Sequence, residues 1–333
     1  MKLIHRYEEI ISIENLLAAW QEFLRGKRGK RDVQEFRLHL MDNIMLLHDE
    51  LRTHSYRHGG YEHFRINDPK PRDIHKASVR DRLVHHAIYR VLYPYFDKRF
   101  VADSFSCRDE KGTHKALDRF RAMARTVSRN NRRTCWVLKI DIRKFFVSID
   151  HRILLARLAR QISDIETMVL LQTVVESFST RPMVGLPLGN LTSQLFVNVY
   201  MNAFDQFVKH ELRCKHYIRY ADDMVFLSND KTLLLGWLSV IKSVLATRLL
   251  LELHPKKISL TTFASGVDYL GWVHFNDHCV LRTATKKRMV RAAKNGASDA
   301  IIASYEGMLT HGNAWQLHKI LEAQQKQKSL VAS

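Results

Sequence analysis

Cysteine, proline and acidic side chains are all scarce in this chain, and each scarcity excludes something. The 333 residues contain 4 cysteines (Cys107, Cys135, Cys214 and Cys279), far apart and with no Cys-x-x-Cys pair. That spacing argues against a zinc site and a disulfide framework, and it suits a reducing, cytoplasmic setting. With 6 prolines and 13 glycines there is no low-complexity tract, and no internal repeat is visible. Long apolar runs are missing too. The most apolar region, 233–253, is interrupted by Lys242 and Arg248, and the start of the chain lacks a basic-then-apolar leader, so no membrane partner is expected. Acidic residues number 34 against 53 Lys and Arg, a net charge of +19. A field of that sign attracts polyanions, nucleic acid first among them. Histidine is plentiful, at 18. His54 with His58, and His85 with His86, have no acidic or thiol neighbours to complete a ligand set, so they read as surface or RNA-facing groups.

What is present is an ordinary globular composition, 46% hydrophobic and 26% charged, long enough for two or three subdomains around one cleft. Apolar spacing predicts helices over 13–24 and 33–51, a strand over 61–66, a helix opening at 76–82, and another over 115–127. A strand over 135–141 follows, then helices over 151–162, 164–178 and 191–212. A hairpin spans 216–227, a helix 231–250, and closing strands lie at 258–260 and 267–273. From Lys286 onward the chain reads as basic helix. Helices and strands mixed around a hairpin indicate an α+β fold, not a doubly wound parallel sheet.

The chemistry concentrates at Tyr220-Ala221-Asp222-Asp223, two adjacent carboxylates at a turn between apolar strands. Neighbouring aspartates raise each other's pKa unless a cation sits between them, and oxygen-only ligands suit Mg²⁺. A third carboxylate, Asp141, ends the strand at 135–141. Three carboxylates on two strands make a site for two metals roughly 3.5–4 Å apart, the arrangement that clamps attacking and leaving oxygens in phosphoryl transfer.

In order, Asp141, the aromatic pair Phe145-Phe146, the loop 185–194 and the Tyr-x-Asp-Asp hairpin resemble a reverse transcriptase from about 70 to 272. The resemblance implies a right-hand polymerase with an antiparallel palm sheet and a helical thumb. It places an N-terminal helical extension at 1–60, fingers at 61–134, a palm at 135–275 that includes part of the fingers (about 165–195), and a thumb at 276–333. It implies two Mg²⁺ ions (Mn²⁺ being possible) on Asp141, Asp222 and Asp223, with the Ile142 carbonyl nearby. Phe146 would exclude a ribose 2′-hydroxyl. Lys70, Arg72, Phe145, Leu188 and Gly189 would join it around the incoming dNTP, with Lys70 alternatively touching template. Lys257 or its neighbour Lys256 would protonate pyrophosphate, and Tyr269, Leu270 and Gly271 would grip the primer. Arg108 and Gln194 would contact nucleic acid. Arg80 and Arg82 would divide between phosphate contact and a structural pair with Asp81.

The loop Gly185-Leu186-Pro187-Leu188-Gly189-Asn190-Leu191-Thr192-Ser193-Gln194 has leucine where most such enzymes have glutamine, and Gln194 where they have proline. This resembles the reverse transcriptases of diversity-generating retroelements, which copy a template RNA into adenine-mutagenised cDNA. That resemblance implies a small basic oligomeric accessory protein as partner, besides template RNA, cDNA and dNTPs. Other stand-alone bacterial reverse transcriptases, of group II intron or phage-defence kind, and an idle RNA-binding scaffold are the alternatives. No maturase, endonuclease or RNase H segment is expected after the thumb.

Overall fold

The computed structural model describes residues 2–67, 71–310 and 312–321. Lys70 therefore lies outside the described residues. Helices α1 (Tyr7–Ile11), α2 (Ile13–Phe23), α3 (Arg31–Leu38) and α4 (Leu40–Arg52) open the chain. The Ser12 hydroxyl caps α2 by accepting from Asn15 N–H at 3.1 Å. The single helix expected over 33–51 is broken at His39, whose backbone (φ −119°, ψ 40°) leaves the helical region. The Asn43 amide donates to the Phe36 carbonyl across the break at 2.9 Å. The bend lets Val33 on one side and Ile44, Leu47 and Leu51 on the other reach the same core.

Strands β1 (Tyr61–Ile66) and β2 (Arg72–Ala77) form an antiparallel hairpin. Sequence reading missed β2, because its mostly polar residues show no apolar alternation; only its first two residues are exposed, and it is held by pairing with β1. Helix α5 (Val79–Asp97) starts at Ser78, whose hydroxyl accepts from Asp81 N–H, and α6 (Gly112–Val127) follows. Then come β3 (Trp136–Asp141), α7 (His151–Ala159), α8 (Ile165–Glu176), α9 (Leu191–Gln206), β4 (Tyr217–Tyr220), β5 (Asp223–Ser228) and α10 (Lys231–Arg248). After these come β6 (Ser259–Thr262), β7 (Val267–Tyr269), β8 (Trp272–His274), β9 (Cys279–Leu281), α11 (Thr283–Lys294) and α12 (Asp299–Leu309), with a further helical turn over 315–321.

The central sheet is antiparallel in the order β4-β5-β3-β6, and a smaller sheet runs β7-β8-β9. Side chains alternate between two cores, as a pleated strand requires. Leu138, Ile140, Met224 and Phe226 pack with α5, α9 and α10, while Val137, Val225 and Leu227 pack with α6 and the chain's last helices. Asp141 and Asp223 share the pleat parity of Val137 and Val225, so they emerge on that second face where the sheet ends.

The nucleic-acid contact expected at Arg108 is corrected. Its side chain is only 6% exposed and pairs with Asp97 at 2.6 Å. It also donates to the carbonyls of Val101, Ser104 and Asp97. Every arm of the guanidinium is thus turned inward, bracing the 97–108 turn. Arg108→Ala is expected to lower unfolding free energy by about 3 kcal/mol in urea titration, since it strands Asp97 and several carbonyls. The salt dependence of nucleic-acid binding should not change; a shallower salt slope would restore the phosphate-contact role.

Candidate active site

Asp141 and Asp223 face each other directly in the β3–β5 register. Asp222 occupies the two-residue turn between β4 and β5, beside Ala221 at φ 54°. The Ile142 N–H donates to the Asp222 carbonyl at 3.2 Å, tying the tip of the hairpin to the end of β3. The three acids are therefore brought together by backbone pairing, before any side-chain choice is made.

Lysines hold that corner. The Lys257 ammonium lies 2.7 Å from both carboxylate oxygens of Asp141, and Lys139 lies 3.5 Å from Asp223. Lys257 is placed by a short 3₁₀ turn, Pro255–Lys257, whose preceding His254 donates its N–H to the Asp141 carbonyl at 2.7 Å. Lys256, on the same turn, is exposed. Of the two lysines the sequence left open, Lys257 is the one on the acidic site. Sequence reading missed Lys139; its position two residues before Asp141, on the same pleat face, was the available signal.

Burial, reinforced by Asp141 and then Asp223, pushes the Asp222 carboxyl up to about 6. Burial also raises Asp223, against the pull of Lys139. Among the described residues no three acidic, histidine or cysteine side chains already close on a common point. The donor chemistry nonetheless fits a hard divalent cation. The three acids supply carboxylate oxygens, and the cationic Lys257 sits on Asp141 where positive charge is needed.

A cleft of about 880 Å³ is lined by Arg72, His75, Phe146, Arg181, Leu188 and, two residues beyond Asp141 in the chain, Arg143, among others. The loop that carries Leu188 is stitched on two sides. Leu186 N–H donates to the Phe146 carbonyl at 2.8 Å, and His75 N–H donates to the Leu188 carbonyl at 3.2 Å. Gly189 is at φ +113°, and a Cβ there would meet the Ile74 side chain at 3.1 Å, so only glycine brings the loop this close to β2. A second cleft, about 1290 Å³, runs past Leu270 and Gly271 towards Arg282, which precedes α11, and Arg291 within it, and Arg72 lines both.

Several expectations are corrected by burial. Phe145 belongs to the core, 4% exposed, and only its neighbour Phe146 faces the cleft. Tyr269 is fully buried in the second core, leaving Leu270 and Gly271 at the β7–β8 turn as the surface part of that motif. Arg80 pairs with Glu50 and Asp81, and Arg82 pairs with Asp32 at 2.5 Å instead of Asp81. Both guanidiniums are satisfied inside the protein. Gln194 is half-buried in the first turn of α9.

The raised Asp222 makes a stability prediction. A carboxyl whose folded pKa lies above its unfolded value of 3.8 costs stability as pH rises through that value, with the full cost present above about 6. Asp222→Asn should thus stabilise the metal-free protein by on the order of 2 kcal/mol at neutral pH, a few degrees in Tm. The gap should close below pH 4 and narrow when Mg²⁺ is added, since only the parent gains from the cation. Melting curves in which the variant is equal or less stable at pH 7 would contradict this.

Comparison with known proteins agrees with the geometry. A family profile described as "Reverse transcriptase (RNA-dependent DNA polymerase)" matches residues 67–274, more than half of the chain. Protein YkfC of Escherichia coli is 27% identical over 176 residues, 50% of this chain and 45% of that protein. The group II intron-encoded protein LtrA of Lactococcus lactis is 24% identical over 148 residues, 43% of this chain and 24% of LtrA. The chain thus spans less than half the length of either relative. Apo telomerase of Candida tropicalis superposes with a TM-score of 0.50 at 10% identity, over 73% of this chain and 60% of that one, a likeness of fold. The match encloses the acidic strand end, the hairpin and most of the first cleft's lining, and the chain belongs to the reverse transcriptase family.

Proposed function

We propose that the chain is an RNA-directed DNA polymerase that extends a primer 3′-hydroxyl by attack on the α-phosphate of a dNTP, displacing pyrophosphate. The observation that carries this is the register of Asp141 against Asp223 together with a basic cleft walled by Phe146 and Leu188. Bound at the three carboxylates, divalent ions, two in the family's scheme, would acidify the attacking hydroxyl and stabilise charge on the transferring phosphoryl group. Mg²⁺ is the ion the oxygen donors favour. Arg72 would pair with the triphosphate through its planar fork. Lys257 holds a proton at Nζ within reach of Asp141, the position from which pyrophosphate would be protonated. In this reading residues 61–134 are fingers, 135–275 palm and 276–333 thumb, and the second cleft carries the template–primer duplex.

The finer assignment is a diversity-generating retroelement enzyme working with template RNA, its cDNA and a small basic oligomeric accessory protein. Leu188 supports it: an apolar side chain lines the cleft where a hydrogen-bonding one would test the nascent pair. Rejection of wrong partners is strongest when buried polar groups would go unpaired, so an apolar surface there relaxes it. A stand-alone group II intron-like enzyme is the second reading, favoured by the similarity to LtrA.

Primer extension on an RNA template with Mg²⁺ and dNTPs should be robust in the parent and lost in Asp222→Asn. An equally inactive parent would favour an RNA-binding scaffold. Sequenced cDNA should carry errors concentrated opposite template adenines, whereas a uniform low error rate selects the intron-like reading. Phe146→Ala should relax discrimination against ribonucleotides by about tenfold or more in competition assays; unchanged discrimination would remove Phe146 from that role.

A further inference from the structure

Below the acidic hairpin sits a charge that catalysis does not call for. Arg219 in β4 is fully buried, as is its partner Asp205 in α9. Its Nε donates to both Asp205 oxygens, at 2.8 and 3.1 Å, and Nη2 donates to Asp205 at 2.7 Å and to the Ser104 hydroxyl at 3.0 Å. Nη1 donates to the Asn198 side-chain oxygen and to the Ala221 carbonyl, each at 3.2 Å. The strand around it is anchored as well. Arg219 N–H donates to the Asp103 carbonyl, and Phe105 N–H donates to the Arg219 carbonyl, both at 3.0 Å.

A buried ion pair is weak evidence for stability, since apolar residues of similar volume often serve as well. What sets this one apart is the bond to Ala221. That residue is the left-handed corner of the acidic turn, a conformation that costs an alanine roughly 1–2 kcal/mol. The next carbonyl, that of Asp222, receives the Ile142 N–H that ties the tip to β3. One rigid fork thus links α9 and the 104–106 segment to the backbone immediately before Asp222. A lysine, with one point of charge, lacks the geometry to span Asp205, Ser104, Asn198 and Ala221 together.

We propose that Arg219 is a positioning residue: braced by Asp205, it holds the Ala221 carbonyl and so fixes the direction in which Asp222 presents its carboxylate to a divalent cation. This rests on the polymerase reading, and its test is read partly without turnover. Two variants serve. Arg219→Lys keeps the charge and loses the fork; the double variant Arg219→Met with Asp205→Asn removes both charges and keeps an acceptor for the Tyr217 hydroxyl, which now donates to Asp205 at 2.8 Å.

In metal-free protein, hydrogen exchange at the turn amides of Asp222 and Asp223 should speed up about tenfold in each folded variant, while exchange in the α5 core stays at the parent rate. Mn²⁺ binding, followed by calorimetry, should weaken about tenfold. In primer extension kcat should fall about 10- to 100-fold, as for a small misplacement of a reacting group. KM for dNTP should stay within about threefold, because the cleft residues are untouched. Folded variants with parental exchange, Mn²⁺ affinity and kcat would overturn the proposal. Unfolding of both would also overturn it, by assigning the network to folding alone. A parent without polymerase activity would defeat the polymerase reading, while exchange and Mn²⁺ binding would still decide the role of Arg219.

Discussion

Placing Asp141 opposite Asp223, with Asp222 one residue away at the turn, forces like charges together at one end of a sheet. Antiparallel pairing leaves no freedom here, because a one-residue slip would turn every apolar side chain of β3 and β5 to the wrong core. The two cores that clamp this sheet therefore also hold its acidic corner in place. The cost appears as raised carboxyl groups at Asp222 and Asp223, and Lys257 and Lys139 offset part of it. Such a corner is relieved by positive charge, which is what a cation would bring to it.

The remaining site is held by backbone stitches as well as by the packing of Leu186 and Phe146 on the core. The loop at 185–190 hangs between the Phe146 turn and β2, and a left-handed glycine lets it approach Ile74. This puts an aromatic ring, an aliphatic side chain and an arginine on the same cleft. Arg72 lines that cleft and the larger one beyond the β7–β8 turn, so a single strand end connects the two. The net charge of +19 then has a local meaning. Arg80, Arg82 and Arg108 pair with acids as braces, whereas Arg72, Arg282 and Arg291 line the second cleft, where a polyanion would meet positive charge.

Much of this was legible in the sequence, and the failures have physical causes. The hairpin, the strand ending at Asp141 and most helices showed plain periodicity, and the α+β class followed. Strand β2 did not, because its mostly polar residues carry no alternation to read. The break at His39 was hidden because the apolar spacing on either side of it is helical. Phe145 and Phe146 are adjacent and chemically alike; only the fold decides which one faces the cleft. Tyr269 and Arg108 matched a motif or a charge expectation, but both side chains turn inward. Arg219 looked like an ordinary strand residue, since its partners Ser104, Asn198 and Asp205 come from distant segments that meet only after folding.

The central claim, a proposal, is that Asp141 and the hairpin acids share a divalent cation at the corner where Lys257 pairs with Asp141. Crystals soaked in Mn²⁺ and measured at the manganese absorption edge test it most directly. The account predicts an anomalous peak in contact with carboxylate oxygens of both Asp141 and Asp222, with the Lys257 ammonium moved off Asp141. Saturating Mn²⁺ with no peak at that corner, and Lys257 still paired to Asp141, would contradict it.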